Sequence, residues 1–188
     1  RNVKDTKLIF DTFNGKWNNN LKPIQIKNMS FGKLKEPFTT NLDPEVMEAY
    51  ENICKELEKL GAKIEEIIIP EANEKASLFP RIVGSEIISA FGIDRFKKNV
   101  DRMDPVTGNR AKLGLNVSSF EYISAKQRVS ELEVIVNRHF MKYDALLSPT
   151  TVMQALDVNK AEIGKELHER SLLASANTQP VNIFGICA

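Results

Sequence analysis

The sequence predicts an α/β fold, because two segments each join a helical pattern to a short apolar stretch. In the first, apolar residues recur at helical spacing from Val46 to Leu60, Gly61 follows, and residues 63–69 form a predicted strand closed by Pro70. In the second, a long apolar stripe leads to residues 145–147, which are too few for a helix. A helix, a short connection and a buried strand together form the repeating unit of α/β proteins.

The segment before residue 43 is predicted as a helix followed by loops. The chain enters directly into a helical pattern whose apolar side consists of Leu8, Ile9 and Phe13. Gly15 and residues 18–20, all asparagine, mark a loop. Ile24 and Ile26 alternate with polar residues and favour a short strand, and residues 31–41 are a predicted connection.

The middle of the chain is predicted to be mainly helical. Asp43 is placed to cap a helix that has Pro44 at its first position, and Gly61 is placed to end it. The buried stripe of this helix is predicted to be Val46, Tyr50, Ile53, Leu57 and Leu60. Residues 74–98 are predicted as a helix with Pro80 in its first turn, and residues 101–114 as a loop. The apolar side of that helix is predicted from Phe79, Val83, Ile87 and Phe91.

The long stripe begins just after residues 118–121, Ser-Ser-Phe-Glu, which have the spacing of a capping box. Its members recur every three or four residues: Tyr122, Ala125, Val129, Leu132, Val136, Phe140 and Tyr143. The strand at 145–147 should stop at Pro149, since proline donates no ladder hydrogen bond. Thr150 and Thr151 then follow the carboxyl end of that strand, where open α/β sheets place ligands. Residues 152–159 are predicted as irregular and 161–175 as helical.

Composition excludes several classes of protein. The 188-residue chain has a formal net charge of +1, which gives no sign of nucleic-acid binding, and no apolar run is long enough to span a membrane. No spacing of His, Cys, Asp or Glu matches a metal site, and no glycine motif is typical of phosphate binding, so no metal or cofactor is predicted. The two cysteines, Cys54 and Cys187, make no disulfide framework and favour a reducing compartment, here the cytoplasm.

Four short sequence patterns follow one another along the chain. They are Asp-Pro-Glu-Val at 43–46 with Leu-Gly-Ala at 60–62, Arg-x-x-Leu-Gly at 110–114, Tyr-Asp-Ala-Leu-Leu-x-Pro-Thr at 143–150, and Thr-x-Pro-x-Asn-x-x-Gly at 178–185. In this order they resemble the C-terminal half of the amidase signature family. The resemblance covers nearly the whole chain.

The resemblance implies a mixed sheet flanked by helices on both faces, of which residues 1–188 would be a single partial domain. Members of that family hydrolyse amide bonds with two serines and a lysine, and their catalytic half comes first in the chain. The apolar end of this chain at 183–188 also suggests an interrupted domain, since natural termini are usually polar. We therefore expect either the missing N-terminal half of the same protein or a paired subunit as the partner.

No catalytic residue is assigned within this chain. The family's serines need a glycine-rich stretch so that backbone N–H groups can approach the substrate. Here Ser118-Ser119 is the only serine pair, it has no neighbouring glycine, and it fits a helix cap. His139 and His168 are the only histidines, and a solvated or capping role is favoured for His139.

Four residues are candidates for contact with a small amide substrate, each with an alternative. Thr150 and Thr151 lie at a predicted strand end, but their hydroxyls could equally bond their own backbone. Asn182 belongs to the matched 178–185 pattern, and the alternative is an asparagine that fixes a loop. Arg110 matches a segment that helps to hold a substrate carboxylate in the tRNA-dependent amidotransferase branch, although a surface arginine is favoured.

The predicted function is the C-terminal, substrate-pocket-forming portion of an amidase signature hydrolase. The alternative is a non-catalytic scaffold or interaction protein that keeps part of the fold. A Gly-Gly-Ser-Ser-Gly-like stretch with a preceding lysine, encoded upstream of Arg1 in the parent reading frame, would distinguish the first from the second.

Overall fold

A computed structural model describes residues 2–15, 24–155 and 165–187, with only the backbone described at 165–168. Its sheet contains strands β1 (Ser30–Leu34), β2 (Lys63–Ile67) and β3 (Ala145–Leu147) in the order β2-β1-β3. Both pairings are parallel, with Gly32 beside Glu65 on one side and beside Leu146 on the other. The predicted α/β fold is confirmed, and the strands predicted at 63–69 and 145–147 are both present.

Eight α-helices occur in the part of the chain that the structure describes. They are α1 (Val3–Phe13), α2 (Pro44–Lys59), α3 (Lys75–Phe91), α4 (Ile93–Asn99), α5 (Pro105–Lys112), α6 (Ser119–Asn137), α7 (Lys165–Ala174) and α8 (Thr178–Ile183). The described part also contains four short 3₁₀ helices, at Pro70–Glu74, Val100–Arg102, Leu113–Asn116 and Arg138–Met141. No single described helix has the length and apolar composition to cross a membrane, although Pro70–Phe91 and Ile93–Arg102 meet those criteria together with a 97° bend between them.

Helices cover both faces of the sheet. On one face Leu34 and Leu146 pack with Leu132 and Val136 of α6 in the main core. On the other face Lys33 reaches α2, where its ammonium nitrogen lies 2.7 Å from a carboxylate oxygen of Glu51. The alternation of side chains along β1 therefore directs one set of residues to each layer.

Strand β1 was not predicted, and it is the central strand. The prediction of a strand at Ile24 and Ile26 is wrong, since these residues adopt no regular structure, and the predicted connection at 31–41 begins inside β1. The pattern was hidden by Gly32 and Lys33, which are both unusual in a buried strand. Lys33 is only 7% exposed because Glu51 and Glu66 neutralise it.

Helix α2 begins at Pro44 and ends before Gly61, which adopts a left-handed φ of +91°, as predicted. Its predicted stripe is only partly buried. Tyr50 is buried, but Ile53 and Leu60 are 58% and 61% exposed, and Cys54 takes the buried position instead. Asp43 makes no side-chain capping bond to α2.

The segment from 74 to 114 differs most from its prediction. The predicted single helix is divided into α3 and α4 at Gly92, which has a φ of +80°, and the predicted loop at 101–114 contains α5. Pro80 lies inside α3 and not in its first turn, because α3 already begins at Lys75, more than one turn earlier and directly after a 3₁₀ helix. The buried face of α3 is Leu78, Ile82, Gly84 and Ile88, and not the predicted phenylalanine face.

A close backbone approach explains the orientation of α3. A Cβ atom placed on Gly84 would lie 2.7 Å from the Gly114 nitrogen, and one on Gly114 would lie 2.3 Å from the Gly84 carbonyl carbon. Only two glycines allow the helix and the 3₁₀ segment Leu113–Asn116 to approach so closely. This contact turns Gly84 inward and leaves Phe91 45% exposed, whereas Phe79 and Ile87 of the predicted face stay partly buried against the core clusters.

Helix α6 and the strand that follows it agree with the prediction. Ser118 and Glu121 form the capping box, with the Ser118 hydroxyl accepting the Glu121 N–H at 3.2 Å. Leu132 and Val136 are completely buried, and Ala125 is 2% exposed. Helix α1 is also present as predicted, but Ile9 and Phe13 on its apolar side are 57% and 87% exposed.

Candidate functional site

A cavity of about 320 Å³ lies beside the carboxyl ends of the parallel strands. Leu34 ends β1, Ile69 follows β2 by two residues, and residues 145–150 include β3 and the segment that leaves it. The remaining wall comes from Phe38, Phe140, α8 and the residues on either side of α8. The carboxyl edge of a parallel sheet is where α/β proteins commonly bind ligands.

The walls of this cavity are mainly apolar and rest on the protein core. Phe38 and Phe184 are 2% and 1% exposed, and Ile69 is 1% exposed. All three belong to the same core cluster as Leu132 and Val136 of α6. The cavity is therefore bounded by side chains that the fold holds firmly in place.

Tyr50 of α2 fixes the strand ends that border the cavity. Its hydroxyl lies 3.0 Å from the Leu34 carbonyl oxygen and 2.7 Å from the Leu147 carbonyl oxygen, and donates its hydrogen between them. Burial raises the pKa of Tyr50 well above its ordinary value, so the hydroxyl keeps this proton. One side chain therefore joins the ends of β1 and β3.

Asn177 lies at the cavity and connects three segments of the chain. It is 3% exposed, and its amide nitrogen donates to the carbonyl oxygens of Phe38 and Pro149, at 2.8 Å in each case. Asn177 immediately precedes α8, yet its side chain makes no capping bond to that helix. The sequence reasoning missed this residue, because an asparagine before a helix is usually an N-cap and nothing local distinguishes it.

The structure brings Thr150 and Asn182 to the same cavity. Both line it, one from the segment after β3 and the other from α8, and both side chains are exposed. Ser148 and Thr178 also line the cavity, and their hydroxyls donate to the carbonyls of Pro149 and Ser175. Two of the four candidate residues, far apart in sequence, therefore meet at one place.

Thr151 and Arg110 lie outside the described lining of this cavity. The Thr151 hydroxyl accepts the Met153 N–H at 3.4 Å, which is the local turn bond that was the alternative interpretation. Arg110 lies on α5, where Nη2 is 3.3 Å from the Ser171 hydroxyl and Nε is buried without a hydrogen-bond partner. These two residues remain predictions without a common site.

Asp43 also positions the segment that follows β3. Its backbone N–H donates to the Val152 carbonyl at 2.8 Å, and its side chain accepts the Gln154 N–H at 3.0 Å. The side chain therefore binds a distant loop and not the first turn of α2. This contact holds the segment after Thr150 against the start of α2.

A cluster of ionisable groups lies on the face of the sheet that packs against α2. Burial lowers the pKa of Lys33, but hydrogen bonds to Glu51 and Glu66 outweigh it and leave the pKa above its ordinary value. The buried Cys54 thiol lies nearby, and burial raises its pKa, so the thiol stays protonated. A protonated lysine neutralised by two carboxylates is suited to a structural role and not to that of a base.

Other chemistry is not assembled in the described residues. Ser118 and Ser119 form the start of α6, so the prediction that this pair is a helix cap is confirmed. Among residues 2–15, 24–155 and 165–187, no group of three His, Cys, Asp or Glu side chains could hold a metal ion. His139 lies in the 3₁₀ helix that ends α6, and the side chain of His168 lies outside the described part.

These features define an α/β protein with an apolar cavity at the carboxyl edge of its sheet. The sequence model of the family described as Amidase matches residues 1–188. The chain therefore belongs to the amidase family, which confirms the resemblance drawn from its four sequence patterns.

Two curated relatives show how much of a family member this chain represents. It is 29% identical over 170 residues to 2-amino-5-chloromuconic acid deaminase of Comamonas testosteroni, covering 88% of this chain and 36% of the relative. It is 27% identical over 188 aligned positions to the A subunit of glutamyl-tRNA(Gln) amidotransferase from Streptococcus pneumoniae (strain Hungary19A-6). That match covers 86% of this chain and 37% of the relative. The chain thus spans a little over a third of the length of these relatives.

Solved structures show the same fold. A crystal structure of an amidase matches with a TM-score of 0.78 at 20% identity, over 98% of this chain and 42% of that one. A second match has a TM-score of 0.70 at 21% identity, over 91% of this chain and 38% of the matched chain. That structure is described as a vestigial protein complex that reveals the evolutionary origins of an s-triazine catabolic enzyme. At such identities the likeness concerns the fold alone.

Proposed function

We propose that this chain is the C-terminal, substrate-pocket-forming portion of an amidase-family hydrolase that cleaves amide C–N bonds. The observation that carries the proposal is the cavity at the carboxyl ends of β1 and β3, which Thr150 and Asn182 both reach. An apolar pocket with a few convergent polar groups is the usual form of a small-molecule site. In this proposal both side chains contact the substrate.

The proposed Ser-Ser-Lys triad lies outside these 188 residues. The chain matches a little over a third of its curated relatives, which leaves room for a catalytic half elsewhere. Ser118 caps α6 and Ser119 is the first residue of that helix, which supports a nucleophile outside this chain. Arg110 and Thr151 lie outside the cavity lining, and we propose that they meet only a substrate that extends beyond it.

The proposed partner is the missing N-terminal half or a paired subunit. The apolar side of α1 is exposed, with Ile9 and Phe13 at 57% and 87%, and an apolar face of this kind is usually covered by another element. One relative is itself named as a subunit, and a structural neighbour is described as part of a protein complex. The free cysteines Cys54 and Cys187 fit a reducing compartment, and we place the parent protein in the cytoplasm.

The test of this proposal compares the 188-residue chain with its full-length parent protein. Both are purified and assayed for ammonia or amine release from simple aryl and alkyl amides. We expect turnover by the parent and none by the isolated chain. Turnover by the isolated chain that Ser119→Ala abolishes would place the nucleophile here and refute the proposal. A parent that lacks the glycine- and serine-rich stretch and hydrolyses no amide would favour the scaffold interpretation.

A second test concerns the chain as a folding unit. With the sheet edges of β2 and β3 unpaired in the described part, we expect the isolated chain to associate or to melt without cooperativity. Intact mass, gel filtration and a thermal melt measure this. A monodisperse monomer of matching mass with a cooperative melt would show that the fragment is stable alone.

A further inference from the structure

Asn177 ties the segment after β3 to a fixed point of the fold. Its side-chain nitrogen donates to the carbonyl oxygens of Phe38 and Pro149, at 2.8 Å in each case. Phe38 is held by its own contacts, because its ring lies in the main core and its N–H donates to the Lys35 carbonyl at 3.0 Å. The Pro149 carbonyl, which directly precedes Thr150, is therefore joined through one amide group to an anchored residue.

This tie lies beyond the paired part of the sheet. The pairing of β1 with β3 ends at Lys33 beside Leu147, and both carbonyl groups that Asn177 binds come after this pair. Tyr50, in contrast, donates between carbonyl groups at the strand ends themselves, where ladder hydrogen bonds also act. Asn177 therefore joins two segments at a point where the strand pairing has ended.

The segment that contains Thr150 is anchored on its far side as well. The Asp43 N–H donates to the Val152 carbonyl at 2.8 Å, so Thr150 lies between one anchor at Pro149 and another at Val152. A short segment held at both ends has one position only while both anchors are intact. The anchor at Pro149 is the one that also faces the cavity.

We propose that Asn177 is a positioning residue that sets Thr150 relative to Asn182 and thereby controls the affinity for the substrate. Asn177 immediately precedes α8, the helix that carries Asn182, so its side chain joins that helix to the segment containing Thr150. Both N–H bonds of its amide are used inside the protein, so it acts through these neighbours. The inference rests on the proposed function, because that proposal makes Thr150 and Asn182 the substrate contacts.

The test is a double-mutant cycle in the full-length protein, with benzamide as the probe. Asn177→Leu removes both donors, and Thr150→Val removes the hydroxyl while keeping the branched shape. We expect Asn177→Leu to raise KM about tenfold and to change kcat less than about twofold, because a misplaced contact weakens the binding of substrate and transition state alike. In a Thr150→Val background the same substitution should raise KM only about threefold, because the contact that it misplaces is already absent.

Tyr50→Phe is the matched comparison for a purely structural tie. It also removes a donor between the segments of β1 and β3, but at the strand ends and from the α2 side of the sheet. It should lower Tm, and its effect on KM should be the same with and without Thr150→Val. Asn177→Ser, which keeps one hydroxyl donor, is measured beside Asn177→Leu and replaces it if that variant does not fold. Its KM should lie between those of wild type and Asn177→Leu.

The outcomes separate this inference from the proposed function. Changes in KM that are equal in both backgrounds, or a loss confined to kcat, would overturn the inference and leave the proposed function intact. A full-length protein that hydrolyses no amide would count against the proposed function alone. The cycle is then measured with dissociation constants for benzamide from calorimetry, and an effect of Asn177→Leu that depends on Thr150 would support the inference. A protein that does not bind benzamide at all would overturn both.

Discussion

The substitution Leu132→Ala tests the packing of α6 against the sheet. Leu132 is completely buried, and it lies in one core cluster with Leu34 of β1 and Phe184 after α8. This cluster also forms the floor of the cavity, through Leu34 and Phe184. The same side chain therefore contributes to the stability of the fold and to the support of the site.

The expected cost is the sum of a transfer and a cavity contribution. Leu→Ala removes three buried carbon atoms, which is worth roughly 2.5 kcal/mol at about 0.8 kcal/mol for each. The walls belong to a strand and two helices and relax little, so the residual cavity adds roughly 1 kcal/mol. We expect a total of about 3–4 kcal/mol, which lowers Tm by about 10 °C in a protein of this size.

The assay is urea unfolding followed by circular dichroism, with Val134→Ala as the matched control. Val134 lies on the same helix but is 58% exposed, so its truncation should change the free energy of unfolding by less than about 0.5 kcal/mol. Equal denaturation midpoints for Leu132→Ala and wild type would refute the assignment of this stripe to the core. A loss as large for Val134→Ala would show that the exposed face of α6 is covered in the folded protein.

Two further predictions concern a backbone contact and an ion pair. Gly114→Ala should lower the free energy of unfolding by about 3 kcal/mol or more, because its Cβ would lie 2.3 Å from the Gly84 carbonyl carbon; thermal melts measure this. The control is Gly15→Ala, where a Cβ would meet nothing within 4 Å. There only the left-handed backbone is strained, and the loss should be about 1 kcal/mol. Arg128 lowers the pKa of Glu74 below its ordinary 4.5, so the ionised carboxylate stabilises the fold above that pH and the contribution disappears as pH falls through the lower folded-state pKa. Glu74→Gln should therefore lower the free energy of unfolding by up to about 1 kcal/mol at pH 7 and not at all near pH 2. In an Arg128→Met background this pH dependence should be absent. A difference in stability between Glu74→Gln and wild type that stays constant with pH would contradict the prediction.

Several elements followed directly from the order of residues. The capping box at 118–121, the stripe that includes Leu132 and the strand at 145–147 all appear as predicted. Pro44 and Gly61 likewise mark the start and end of α2. These features are local: a cap, a proline or a glycine acts on its own backbone, and a helical period of one face is visible within a few turns.

The central strand depended on contacts between distant residues. Lys33 is buried because Glu51 and Glu66, from two other elements, both reach its ammonium group. Gly32 is required because a Cβ there would lie 2.8 Å from the side chains of Ile67 and Leu146. Neither partner is visible from the five residues of β1 themselves, so their composition indicated a connection.

The candidate site shows the same division. The sequence placed Thr150 after a strand and Asn182 in a family pattern, and it thereby determined the family and two residues of the cavity. Only the tertiary structure brought these two residues together and set Thr151 and Arg110 apart from them. It also revealed Asn177, whose amide is held by carbonyl groups 139 and 28 residues away. Neighbours in sequence set the local backbone, and for this reason the separate helices and strands were predictable. The partners of a side chain depend on how whole elements pack together, and for this reason the cavity was not predictable.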